Sequence, residues 1–166
     1  MGRYRPPASP KSPYITAAGF AALQAESKAL WTRRAEVTKA VTAAAAEGDR
    51  SENAEYIYRK KELREIDRRI RYLQVRLPKL HVVRENPDDL DQVRFGAWVT
   101  LEDEAGNEVT HRIVGADEFD PAQRWISIDS PVARALLGRG LDDEVAVTTP
   151  NGSQRYWVVA IRYDTD

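Results

Sequence analysis

Cysteine is absent from the 166-residue chain, which excludes disulfides, thiolate metal sites and cysteine nucleophiles together. Histidine is almost as scarce, and His81 and His111 are too few and too far apart to suggest a metal centre. No apolar run approaches the roughly 18 residues of a membrane-spanning helix, and residues 1–13 lack the apolar stretch of a signal peptide. The cytoplasm is therefore the expected compartment, with no membrane partner. Neither Ser127 nor Ser130 has a nearby histidine base, so a self-contained hydrolase is not expected.

What is present is charge. Charged residues make up 31% of the chain and hydrophobic ones 42%, a soluble globular mixture. The net charge of −1 conceals an asymmetry: residues 1–80 carry 17 Lys+Arg against 9 Asp+Glu, whereas residues 81–166 carry 8 against 17. Two parts with different partners are implied.

Residues 1–13 hold four prolines and three basic side chains with no pattern that could bury a face, and are read as a disordered basic arm. From about Ala17 to Glu47 there is no proline, and Phe20, Leu23, Leu30, Val37, Val41 and Ala44 fall at alternating steps of three and four, with Ser27 and Arg34 as polar exceptions. Gly48 breaks the pattern. A second seam follows from about Ser51 to Leu77: Tyr56, Arg59, Leu63, Ile66, Ile70, Leu73 and Leu77. Two long helices joined by so short a turn must run antiparallel. Pairing positions whose numbers sum to about 100 sets Leu23 against Leu77, Leu30 against Ile70 and Val37 against Leu63. The hairpin is assigned to residues 14–80, and small residues at 43–46 predict a narrow tip.

Residues 81–92, rich in aspartate and containing Asn86-Pro87, read as a linker. Beyond it the period changes to short β-type runs at 97–101, 109–114, 125–128, 144–148 and 156–161, separated by turn signals at 105–107 and 150–152. Pro131 followed by 132–137 and Gly138 predicts one short helix, capped by Asp129 or Ser130. Residues 93–166 are thus predicted to be a small antiparallel sheet with one helix, and the whole chain is of the α+β class. Trp98, Trp125 and Trp157 are expected to be core or half-buried.

Two features could carry chemistry. At the hairpin turn the acids Asp49, Glu52 and Glu55 recur every third residue. A structural explanation exists: Asp49 or Ser51 caps the second helix, and Glu52 and Glu55 oppose its positive dipole end. Alternatively, two carboxylates at a narrow apex hold part of the shell of a hard divalent cation, which a partner completes. The second feature is the stretch 59–76, with eight basic and three acidic residues. Glu65–Arg69 and Asp67–Arg71 make favourable four-residue pairs, but Lys60–Arg64–Arg68 is a same-sign ladder that costs the helix a few tenths of a kcal/mol per step. A stripe matched to phosphates explains such a ladder.

The tip Gly48-Asp49-Arg50-Ser51-Glu52-Asn53-Ala54-Glu55-Tyr56, the run Arg64-Glu65-Ile66-Asp67-Arg68-Arg69-Ile70 and the segment Ile126-Ser127-Ile128-Asp129-Ser130-Pro131-Val132-Ala133-Arg134-Ala135-Leu136-Leu137 together resemble the Gre transcript-cleavage factors of bacterial RNA polymerase, and the GreB branch in particular. The resemblance covers about residues 14–163. It implies an N-terminal antiparallel coiled coil that enters the polymerase secondary channel, and an FKBP-like C-terminal domain that docks on the rim. It implies a monomeric factor, not an enzyme on its own, that stimulates the polymerase's cleavage of the nascent RNA 3′ end in backtracked complexes. Under this resemblance Asp49 and Glu52 are the catalytic and metal residues, sharing Mg2+ with the polymerase, with none held in isolation. Ser51, Asn53 and Glu55 support the tip. Arg59, Lys60, Lys61, Arg64, Arg68, Arg69 and Arg71 face RNA phosphates, and Asp129, Ser130 and Pro131 dock on the polymerase. Two rival classes are a non-cleaving regulator of the same channel and an FKBP-like prolyl isomerase.

Overall fold

The computed structural model describes residues 8–48 and 53–164. The tip residues Asp49, Ser51 and Glu52 lie outside that range. The elements run β1 (Tyr14–Thr16), α1 (Ala17–Ala45), α2 (Ala54–Arg76), β2 (His81–Val83), β3 (Trp98–Asp103), β4 (Glu108–Val114), β5 (Trp125–Ser127), α3 (Pro131–Leu136), β6 (Glu144–Thr149) and β7 (Gly152–Arg162). Two compact units result, one of residues 18–80 and one that joins the start of the chain to residues 81 onward. Among the described residues no helix is long and apolar enough to cross a membrane.

In the first unit, α1 is 29 residues long, about 43 Å at 1.5 Å per residue. Its buried residues Leu23, Val37 and Ala44, and Ile66, Ile70 and Leu73 of α2, all belong to the seams read from the sequence. Val37, Ile66 and Ile70 form a buried cluster flanked by Leu30, Val41 and Leu63. Cross-helix ion pairs fix the register: Arg33 with Glu62 at 2.6 Å, Arg34 with Asp67 at 2.6 Å and Arg69 with Glu26 at 2.7 Å. Their numbers sum to 95, 101 and 95, close to the expected pairing rule. The polar exception Arg34 is thereby explained, since it meets an acid across the seam. The second helix begins at Ala54, three residues later than expected, because Asn53 rather than Asp49 or Ser51 is its N-cap.

The second unit is built on a five-stranded sheet of order β5-β4-β3-β7-β6. All five strands lie where the period-2 runs place them. One pairing departs from the antiparallel expectation: β5 runs parallel to β4, with Arg112 opposite Trp125. The chain crosses back between them through the 3-10 turn Pro121–Gln123 instead of closing a hairpin, a route that strand-length patterns do not specify. One sheet face packs Val99, Leu101, Ile113, Val145 and Val158 onto Ala133 and Leu136 of α3. The other carries a row across four strands in which Arg112 stacks on Trp125 and Trp98, and Arg162 on Trp98, at 5.6, 5.8 and 4.5 Å. Trp98, Trp125 and Trp157 are all half-buried.

The segment read as a linker differs from expectation at its start. His81–Val83 forms β2 and pairs in parallel with β1, Tyr14 opposite His81 and Thr16 opposite Val83. Three-residue strands leave too short a pattern for alternation to reveal. The strand β1 is pinned at its end by the buried Glu118, which accepts from the Thr16 and Gly115 amides at 3.1 and 2.8 Å and from the Thr16 hydroxyl. Nor is the described part of the arm free of contacts, because Ser12 bonds to Asp129.

Candidate functional site

The turn that carries the acids is framed by two described residues. On one side α1 ends in tightened turns, the amides of Ala46 and Glu47 donating to the carbonyls of Ala43 and Ala44 at 3.2 Å, and Gly48 takes a positive φ of 138° that favours glycine. On the other, the Asn53 side chain accepts from the Tyr56 amide at 3.0 Å as the N-cap of α2, and donates to the Ala44 carbonyl at 2.8 Å. One amide side chain thus satisfies an orphan donor of α2 and gives the Ala44 carbonyl of α1, already bonded to the Glu47 amide, a second donor. This clasp ties the last turn of α1 to the first turn of α2. Asn53 was read as tip support, and the clasp is how it can serve. Glu55 is exposed and pairs with Arg59 at 2.7 Å.

The basic residues of α2 divide into two sets. Arg59 is bound by Glu55 and Glu62, and Arg69 by Glu26. Glu62 lies between Arg33 and Arg59; hydrogen bonds from Arg33 above all, then from Arg59, hold its carboxyl below the usual range. The same bonds raise both guanidinium groups further above their ordinary value, through Glu62 first for Arg33 and Glu55 first for Arg59. Asp67 and Arg69, read as partners of Arg71 and Glu65 along the helix, instead reach across the seam to Arg34 and Glu26. Lys60, Lys61, Arg64, Arg68 and Arg71 are exposed and make no ion pair with a described residue. At 100° per residue Lys60, Arg71, Arg64 and Arg68 fall within a quarter turn of one another, on the side away from Ile66 and Ile70. These five exposed cations cluster on one side of α2, with Asp67 and Glu65 at its two edges.

In the second unit, Ser130 caps α3, its hydroxyl accepting from the Ala133 amide at 3.2 Å, and Pro131 occupies the first helical turn. Asp129 does not cap the helix. Its Oδ2 accepts from the Ser12 amide at 2.8 Å and its Oδ1 from the Ser12 hydroxyl at 2.5 Å. Sequence reasoning missed this contact and the Glu118 latch, since each joins residues more than a hundred positions apart and leaves no periodic trace. Among the described residues no group of three or more His, Asp or Glu side chains is arranged to hold a metal ion.

Residues 13–82 match the family description "Transcription elongation factor, N-terminal", and residues 86–163 match "Transcription elongation factor, GreA/GreB, C-term". Transcription elongation factor GreB of Pseudomonas aeruginosa is 58% identical over 98% of this chain and 98% of its own. That of Haemophilus influenzae is 59% identical over 93% of this chain and 98% of its own. Among solved structures, the GreA factor homolog 1 of Thermus thermophilus is 27% identical, covering 90% of this chain and 97% of that one with a TM-score of 0.42. By its sequence the chain belongs to the GreA/GreB family of transcription elongation factors.

Proposed function

We propose that this chain binds bacterial RNA polymerase, places the tip of its helical hairpin in the secondary channel, and stimulates the polymerase's own cleavage of the 3′ end of backtracked RNA. The observation that carries the reading is the Asn53 clasp, which closes α1 onto α2 at the point where the sequence sets Asp49 and Glu52. Joining the two helix ends there lowers the chain entropy that binding costs.

The donor set fits a hard divalent cation: Asp49 and Glu52 offer carboxylate oxygens, and two such residues leave coordination positions for the polymerase. Magnesium bound there supplies charge neutralisation at the phosphate and a more acidic water. The reaction is phosphodiester hydrolysis, in which water adds to phosphorus and the upstream 3′ oxygen leaves, takes a proton and becomes the new 3′ end. Ser51 and Asn53 support the tip. Along α2 the exposed Lys60, Lys61, Arg64, Arg68 and Arg71 attract the extruded RNA, while Arg69 braces the helix pair through Glu26 and Arg59 is taken up within α2 by Glu55 and Glu62. Asp129, Ser130 and Pro131 dock on the polymerase.

A stalled, backtracked polymerase carrying end-labelled RNA tests the reading. Shortened transcripts are expected on adding the protein, and Asp49→Ala or Glu52→Ala abolishes the shortening while polymerase binding persists. The intact pair of tip acids favours this reading over a non-cleaving regulator. Full cleavage by both variants overturns it.

A further inference from the structure

The described part of the arm bonds to the Asp129 carboxylate. Ser12 engages both oxygens of Asp129, through its amide at 2.8 Å and its hydroxyl at 2.5 Å. Ahead of it, Ser9, Pro10 and Lys11 line an open 440 Å³ pocket together with Phe119, Asp129 and Arg134. Phe119 is 59% exposed there. The chain is tied down again directly after this contact: the His81 amide donates to the Pro13 carbonyl at 2.7 Å, and β1 starts at Tyr14. Residues 9–12 can therefore swing away from Asp129 without opening the β1–β2 pair. We propose that the arm is an internal competitor for polymerase docking: residues 9–12 cover Asp129 and engage its carboxylate in the free protein, and a paired hydrogen-bond donor of the polymerase displaces them.

The arm itself shows what the carboxylate accepts, two donors side by side. An arginine guanidinium presents two parallel N–H groups with a formal charge, and such a fork binds a carboxylate more strongly than a neutral amide and hydroxyl do. Exchange of arm for polymerase therefore runs downhill at Asp129, and the cost of docking is the release of a short, proline-flanked segment. While the arm is seated the docking-competent fraction is reduced, and the apparent affinity falls in the same proportion. The inference rests on the docking role proposed above for Asp129, and the experiment separates the two.

Binding of the full chain to core RNA polymerase is measured by titration for wild type, Ser12→Glu, Ser12→Ala and Asp129→Asn. Ser12→Glu sets two carboxylates against each other and is expected to tighten binding by about three- to tenfold, the factor by which a mostly seated arm lowers the competent fraction. Ser12→Ala keeps the amide bond and shifts affinity less, in the same direction. Asp129→Asn is expected to weaken binding. Unchanged or weaker binding by both Ser12 variants overturns the competitor. Wild-type affinity in Asp129→Asn removes the docking role and the inference with it. Because the chain has no cysteine, a spin label on Ser9→Cys reports the arm alone. It should gain mobility at saturating polymerase, and an unchanged spectrum is a second way for the proposal to fail.

Discussion

The side-chain amide of Asn53 donates to the carbonyl oxygen of Ala44 at 2.8 Å, so a single residue at the head of α2 closes the foot of α1. The same side chain caps its own helix at the Tyr56 amide. Asn53→Ala removes both bonds and is expected to cost about 2 kcal/mol, shared between the lost cap and the lost cross-helix bond. Asn53→Asp keeps the capping oxygen but loses the donor, and should lie between the two. Urea unfolding followed by circular dichroism measures the series. Equal stability of Asn53→Asp and wild type would show that the cross-helix bond contributes nothing.

The hairpin was legible from its residues because each helix repeats its apolar positions over many turns, and a repeat of that length leaves one register open. The ion pairs Arg34–Asp67 and Arg69–Glu26 then follow, because residues flanking a seam face each other across it. The helix start was less legible. Asp49, Ser51 and Asn53 are all good caps by residue type, and only the carbonyl of Ala44 waiting opposite selects Asn53. In the second unit the period-2 runs located five strands but not the parallel direction of β5, which depends on how residues 115–124 return. The contacts at Glu118 and Asp129 are singular events between distant residues, invisible to any periodicity. The tip acids Asp49 and Glu52 lie outside the described residues, and their sequence position alone speaks for them.

Glu118 is a buried carboxylate whose partners are the Thr16 amide and hydroxyl and the Gly115 amide. Removing it strands these donors beside Tyr14, so Glu118→Ala is expected to destabilise the fold by about 3 kcal/mol. Gly115 leads to the same latch from the other side, since a Cβ there would lie 2.2 Å from the Tyr14 carbonyl oxygen and 3.0 Å from the Glu118 carboxylate. Gly115→Ala must displace β1 and should cost about 2 kcal/mol or more. Hydrogen exchange at the β1 amides checks that the loss is local to this strand. Faster exchange confined to other strands contradicts the assignment.

His111 supplies a pH dependence. Burial above all, with the nearby Arg124 charge, pushes its pKa below the ordinary histidine value, and its Nδ1 is buried with no hydrogen-bond partner among the described residues. Below about pH 6.5 the unfolded chain takes up a proton that the folded chain resists, so stability is complete above that pH and declines as pH falls through the unfolded and then the folded pKa. Urea midpoints at pH 7.5 and 5.5 should therefore differ in wild type, and the difference should shrink in His111→Gln. A difference unaltered by the substitution assigns the pH dependence to another group.

Arg64 sits between Lys60 and Arg68 on the exposed face of α2, each one helical turn away, and makes no ion pair with a described residue. For the isolated fold this is the wrong residue. Arg64→Glu converts two like-charge steps into two opposite-charge pairs and is expected to stabilise the hairpin by roughly 0.5 kcal/mol. If the stripe serves RNA phosphates, the same substitution removes a counter-charge from the polyanion's path and adds a repulsion. Cleavage of long backtracked RNA should fall several-fold, and its salt dependence should become shallower. Arg64→Lys, which keeps the charge, should leave both properties near wild type. Stability and cleavage moving in opposite directions in one variant is what a functional stripe requires, because a helix face tuned only for folding gains from relief of its own repulsion. Cleavage that holds steady while stability rises would mean that the cations on α2 face solvent and nothing more.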